Sequence, residues 1–140
     1  MIRPATPDDL DRLVTMVNAL SAHHGDPATC TRDALERDLF GPDAFVTVLM
    51  ADAGYTALYP TAQLHWGVRG LEMHHLFVHP DQRGTGLGKA LVLAAVDHAK
   101  AQGARYLSLG THPDNARARA FYTALGFEGI DPGPRLRLKF

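Results

Sequence analysis

Apolar residues recur at helical spacing near the start of the chain, where Leu10, Leu13, Val14, Val17 and Leu20 share one face of a period of about 3.6 residues. The segment Thr6-Pro7-Asp8-Asp9 just before them offers a capping hydroxyl, a first-turn proline and two acids for the positive helix end, so a first helix is predicted there. Thr31 is placed to cap a second helix, in which Leu35 and Leu39 lie four apart and which ends near Gly41-Pro42. A short strand over Met1 to Pro4 precedes both.

The pattern then shortens. Phe45 to Ala51 is apolar and β-branched, Asp52-Ala53-Gly54 reads as a turn, and Tyr55 to Tyr59 completes an expected antiparallel hairpin. Leu71 to His79 is a further predicted strand and runs into a glycine-rich loop. A helix is expected over Leu87 to Gln102, stopped by Gly103, then a strand over Tyr106 to Leu109 and a helix from Asn115 to Leu125 stopped by Gly126. Arg135 to Phe140 alternates as a closing strand would. The order β-α-α-β-β-β-α-β-α-β-β predicts an α/β (α+β) mixed sheet with helices on its faces and βαβ character only in the middle.

With 140 residues, 46% of them apolar and 21% charged, the chain has the composition of one globular domain spanning residues 1–140. The single cysteine, Cys30, cannot close an internal disulfide, which removes the stapled secreted class and suits a reducing compartment. The longest apolar stretch, Ala90 to Val96, is far below the roughly 20 residues that a bilayer span needs. Met1-Ile2-Arg3 runs towards Asp8, Asp9 and Asp11 rather than into an apolar signal core, so a cytoplasmic protein with no membrane role is expected. A net charge of −1 gives no general attraction for nucleic acid, and an anionic ligand would need a local site. The eight histidines include the adjacent pairs His23-His24 and His74-His75, but neighbours on a strand point apart and no Cys-x-x-Cys or His-Glu-x-x-His spacing occurs, so no metal site is expected.

Such a local site is offered by Gln82-Arg83-Gly84-Thr85-Gly86-Leu87-Gly88-Lys89, between a predicted strand and a predicted helix. Glycines lack the β-carbon that would block close approach, so successive backbone N–H groups at a helix N-terminus can converge on a pyrophosphate, with Arg83 and Lys89 adding charge. A tight turn without a ligand would share this composition. A nucleotide triphosphatase loop needs Ser or Thr after its lysine, whereas Lys89 is followed by Ala90. A dinucleotide fingerprint belongs in the first strand-turn-helix unit, and this loop lies past the midpoint of the chain.

Arg83-Gly84-Thr85-Gly86-Leu87-Gly88 matches the pattern Gln/Arg-x-x-Gly-x-Gly/Ala, and a second block follows: Asn115, a helix carrying Phe121-Tyr122, then Leu125 and Gly126-Phe127. In these two blocks, in this order, the chain resembles the GNAT superfamily of N-acetyltransferases, most clearly from Leu71 to Phe127. Ile2-Arg3-Pro4-Ala5-Thr6, Asp38-Leu39-Phe40, Leu76-Phe77-Val78 and Arg135-Leu136-Arg137-Leu138 look like the spermidine/spermine and thialysine acetyltransferase branch.

The resemblance implies a sheet splayed beside the strand before the glycine loop, with the pantetheine arm of acetyl-coenzyme A in the gap. Backbone groups of Leu76, Phe77 and Val78 are then expected to contact that arm, one N–H polarising the acetyl carbonyl. Arg83, Gly84, Thr85, Gly86, Leu87, Gly88 and Lys89 would hold the pyrophosphate. Asn115 corresponds to a coenzyme A contact, although Asn is also a good helix cap. Tyr122 corresponds to the general acid that protonates the departing thiolate, a task suited to a phenol that stays protonated at neutral pH; its place on the apolar stripe Ala118, Phe121, Tyr122 and Leu125 equally suits packing.

An acceptor ammonium must lose a proton before it attacks, and histidine is suited to taking it. His74 and His75 lie on the strand expected to flank the acetyl group, one on each face; related polyamine enzymes commonly have Glu-Asp there. The change keeps a base and removes two carboxylates that would attract a polycation. Asp38, Asp43 and Glu36 near the second helix are further candidates for an amine pocket, while Phe40, Phe45 and Trp66 either line the acceptor pocket or fill the core, with core the default. The expected activity is direct acetyl transfer to a small primary amine (amino acid, thialysine-like or diamine/polyamine) by a homodimer. The rivals are a catalytically silent acyl-coenzyme A-binding module and an acetyltransferase of protein N-termini or lysines.

Overall fold

Arg3 and Asp9 tie the first strand to the first helix. The two terminal guanidinium nitrogens of Arg3 donate to the Asp9 carboxylate, at 2.7 and 2.8 Å, and the Thr6 backbone N–H donates to the same group at 2.8 Å. These bonds compensate the burial of Asp9 and hold its carboxyl far below the usual carboxylate range.

The protein is described by a computed structural model covering residues 1–130 and 134–140. Its elements are β1 (Arg3–Pro4), α1 (Leu10–His23), α2 (Arg32–Phe40), β2 (Thr47–Ala51), β3 (Gly54–Gln63), β4 (Val68–Val78), α3 (Leu87–Ala101), β5 (Tyr106–Ser108) and α4 (Ala116–Ala124), with short 3-10 turns before α1, between β3 and β4 and after β4. Thr31 caps α2 as predicted, its hydroxyl accepting from the Ala34 N–H at 3.2 Å. The chain packs as two units, Met1–Leu109 and Gly110–Phe140.

In the first unit the strands lie in sequence order, β1-β2-β3-β4-β5, with every neighbouring pair antiparallel except the parallel β4/β5. One sheet face packs under α1, where Leu13, Met16 and Leu20 meet Val48, Met50, Tyr55, Ala57 and Phe77. The apolar side of α3, including Leu91, Val92 and Ala95, packs against β3 and β4, where Leu58, Leu71 and Met73 are also buried. The mixed α/β class expected from the sequence is therefore the class observed.

Two local features shape the centre of the sheet. The pairing register of β3 and β4 shifts between Ala57 and Leu58: Ala57 lies opposite His75 but Leu58 lies opposite Met73, which leaves His74 as an extra residue in β4. Such a bulge reverses the alternation of side chains beyond it. Separately, β4 pairs with β5 only at Gly70, Leu71 and Glu72. Gly70 is required there because the Tyr106 ring occupies the space a β-carbon would take, and the Tyr106 hydroxyl accepts from Thr61 Oγ1 at 2.9 Å. Beyond Glu72, from residue 73 to 78, no strand of the first unit pairs with this side of β4.

In the second unit Asn115 caps α4, its Oδ1 accepting from the Ala118 N–H at 3.0 Å. Gly126, with φ +97°, turns the chain so that the Phe127 N–H meets the Tyr122 carbonyl at 3.1 Å. The closing strand expected over Arg135 to Phe140 is not formed. Leu136, Leu138 and Phe140 alternate as strand residues do, yet all three are exposed, and among the described residues of this unit no strand is there to receive them. Residues 131–133 lie outside the described set.

Candidate active site

A cavity of about 270 Å³ opens between α1, α2 and the face of β2, β3 and β4. Aliphatic side chains from both helices form one wall, among them Leu13, Val17, Leu35 and Leu39; Tyr55, Tyr59, His74 and His75 form the other. A larger depression of about 380 Å³, lined in part by Arg69, His98 and Gln102, contains none of the residues singled out from the sequence for catalysis or cofactor binding.

Both histidines reach the same cavity, contrary to the expectation that they face opposite sides of the strand. The bulge at His74 is the cause: the extra residue cancels one alternation, and the two rings stack with centroids 4.1 Å apart and planes at 18°. His75 opposes Ala57, whose side chain lies in the core under α1, and the hydroxyl of buried Thr56 donates to the His75 carbonyl at 2.8 Å.

The Tyr55 hydroxyl lies 3.1 Å from Nδ1 of His75. Tyr55 is wholly buried, and burial pushes its phenol above the ordinary range, so it keeps its proton. A phenol proton aimed anywhere else would be buried without an acceptor, a loss of about 1–3 kcal/mol, so Tyr55 donates and Nδ1 accepts. The neutral His75 ring then carries its own hydrogen on Nε2. Burial first, and then the charge of His74 and of His24, lowers the His75 pKa to about 4, so the ring is neutral at physiological pH. His75 is thus a hydrogen-bond donor at Nε2. His74 is exposed, with its ring between those of His75 and Tyr59, the latter with centroids 5.8 Å apart.

Asp38 is the one carboxylate among the residues lining the cavity; Asp43 and Glu36 are not among them. Arg37 holds Asp38 with both ends of its guanidinium, at 2.8 and 3.1 Å. Phe45 also lines the cavity and is 55% exposed, so it is not core, and Trp66 stands exposed on the turn between β3 and β4. The β2 strand starts only at Thr47, which leaves Phe45 in the preceding connection, and Trp66 lies in the hairpin tip beyond the sheet's packed faces.

Leu76, Phe77 and Val78 follow the bulge on the stretch of β4 whose far edge is unpaired within the first unit. Phe77 is buried in the core under α1. The chain then turns through the glycine loop, where Gly84 and Gly86 adopt φ of +79° and +89°, values that strain any other residue. Among the described residues, the backbone N–H groups of Gly84, Thr85, Gly86, Leu87, Gly88 and Lys89 meet no protein acceptor; the first N–H closed by the helix is that of Ala90, on Gly86. Arg83 is partly engaged, its Nε donating to the Val78 carbonyl at 3.2 Å, and Thr85 Oγ1 donates to the Gln82 carbonyl at 2.6 Å. Free donors at a helix start beside Arg83 and Lys89 have the chemistry of a pyrophosphate site.

In the second unit Tyr122 is half-buried between Phe121 and Phe127, edge-on to both at centroid distances of 5.0 and 5.5 Å. Burial raises its pKa, so the phenol is protonated at neutral pH. Asn115 spends its side-chain oxygen on the helix cap.

Tyr55, Tyr59 and Thr56 were not distinguishable as site residues in the sequence. Their part depends on strand register, and a one-residue shift in pairing has no local sequence mark.

Comparison with known proteins agrees with this fold. The model of the acetyltransferase (GNAT) family matches residues 15–127, and the chain belongs to that family. It is 33% identical over 142 residues to a mycothiol acetyltransferase of Pseudarthrobacter chlorophenolicus, covering 93% of this chain and 43% of that protein. It is 26% identical over 145 residues to the thialysine N-epsilon-acetyltransferase of Bos taurus, covering 93% of this chain and 85% of that one. A crystal structure described as a probable acetyltransferase superposes with a TM-score of 0.86 at 21% identity, over 100% of this chain and 97% of the other, a likeness of fold. Mycothiol acetyltransferases are much longer proteins, and the chain spans less than half of their length.

Proposed function

We propose that this chain transfers an acetyl group from acetyl-coenzyme A to the primary amine of a small molecule. What carries this reading is the stretch of β4 edge that no strand of the first unit pairs, which begins beside the cavity holding His74 and His75 and leads directly into a loop whose N–H groups meet no acceptor among the described residues. Relatives named mycothiol acetyltransferase and thialysine N-epsilon-acetyltransferase support a small-molecule acceptor.

Acetyl-coenzyme A supplies the activated acyl carbon. Gly84 to Lys89 bind its pyrophosphate through backbone N–H groups, with Arg83 and Lys89 contributing charge. Leu76, Phe77 and Val78 offer strand backbone to the pantetheine arm, and an N–H there stabilises the oxygen that becomes negative. His74 takes the proton that the acceptor ammonium must lose, because Nδ1 of His75 is already bonded to Tyr55 and its Nε2 carries hydrogen. His75 donates from Nε2 and orients the acceptor. Tyr122 gives a proton to the departing coenzyme A thiolate, which leaves as the free thiol. Asn115 acts mainly as a helix cap. The resemblance further suggests a cytoplasmic homodimer, a point for mass measurement in solution.

The test is release of free coenzyme A thiol, dependent on acetyl-coenzyme A, across a panel of amines. Acceptor-dependent release supports the proposal. Binding of acetyl-coenzyme A with no release for any amine supports the silent binding module, and absence of binding overturns the reading of the glycine loop.

A further inference from the structure

Resting on that reading of the cavity as the acceptor site, we infer that the acceptor is a primary monoamine with a compact apolar body, a single aromatic ring or a short branched chain. The cavity of about 270 Å³ is walled by Leu13, Val17, Leu35, Leu39 and Val46, and its polar lining residues are Tyr55, Tyr59, His74 and His75 on the strands and Asp38 on α2. An amine aimed at the histidines therefore lays the rest of its body on aliphatic surface, which favours apolar atoms in proportion to the area covered.

Charge decides against the other small amines. No lysine or arginine is among the lining residues, so the carboxylate of an amino acid would be desolvated there without a cation. A second ammonium would find only Asp38, whose two carboxylate oxygens are already bonded to Arg37 at 2.8 and 3.1 Å. The apolar wall has a further effect, since it disfavours the charged form of the bound amine and eases loss of its proton to His74.

The experiment compares kcat/KM for 2-phenylethylamine and 3-methylbutylamine with that for lysine and 1,5-diaminopentane, by release of coenzyme A thiol. The monoamines are expected to exceed the other two by about 10- to 200-fold, the range that differential apolar contact and unpaired polar groups produce. Preference for lysine or the diamine overturns the inference while leaving acetyl transfer intact. No release with any of the four and with a wider panel overturns the proposed activity and this inference with it. The Arg37→Gln variant, at a position 72% exposed, separates the charge argument from folding: it frees Asp38, and kcat/KM for the diamine is expected to rise about 2- to 5-fold with the monoamine unchanged. An unchanged diamine value shows that Arg37 does not mask Asp38 and overturns the charge argument.

Discussion

The Tyr55 hydroxyl and Nδ1 of His75, 3.1 Å apart on neighbouring strands, form a buried pair that decides which nitrogen of His75 carries hydrogen. Removing the hydroxyl by Tyr55→Phe leaves Nδ1 without its donor. The variant is expected to fold with a loss of about 1 kcal/mol, and the nitrogen NMR signals of His75 are expected to shift from the Nε2–H tautomer towards a mixture. An unchanged tautomer in the variant would show that another group fixes the ring.

The same pair makes a prediction about pH. The folded pKa of His75 is about 4, below the ordinary value of 6.5. Above pH 6.5 both folded and unfolded forms are neutral there, and its contribution to stability is complete. As pH falls from 6.5 towards 4, the unfolded chain binds a proton that the folded chain refuses, so stability declines. Thermal melting followed across this window is expected to show that slope, and the slope is expected to flatten in His75→Gln. The Arg3-bonded carboxylate of Asp9 is lowered well below its ordinary value, so its loss of stability begins only as pH falls through the usual carboxylate range near about 4.

Tyr122→Phe removes the proposed acid while leaving the ring between Phe121 and Phe127. Turnover is expected to fall by roughly 10²–10⁴-fold, with acetyl-coenzyme A affinity measured by calorimetry little changed. Turnover equal to that of the parent would mean that Tyr122 serves packing alone.

Gly70→Ala sets a methyl group against the Tyr106 ring at the stretch where β4 and β5 pair. The expected cost is about 1–3 kcal/mol of overpacking, read as a shift of the urea midpoint. Loss of hydrogen-exchange protection is expected to concentrate at residues 106–108.

Much of the scaffold was legible because each element carried a local signal. The Thr31 cap, the leucine spacing of α1 and the glycine stops after α3 and α4 are set by neighbours in sequence, and those elements formed within a residue or two of expectation. The glycine loop was legible for the same reason, since Gly84 and Gly86 use the conformations that glycine alone tolerates cheaply. The histidine pair was legible only as chemistry. Its geometry was misread because alternation on an isolated strand is a local rule, whereas the bulge opposite Ala57 arises from the fit of two strands. The tail from Arg135 to Phe140 shows the converse: alternation alone does not make a strand where no partner edge is offered.

The clasp between β4 and β5 is short, and beyond it no strand of the first unit pairs with residues 73–78 on that side of β4. A row of unpaired strand backbone is adhesive, and another chain can add to it as readily as a small ligand. Any compound that runs along residues 73–78 therefore acts as a protective cover as well as a reactant, and it stabilises the folded form in proportion to the logarithm of its concentration over its dissociation constant. Along that side of residues 73–78, where no strand of the first unit pairs, a bound compound that cannot react is expected to raise the melting temperature and slow self-association on heating.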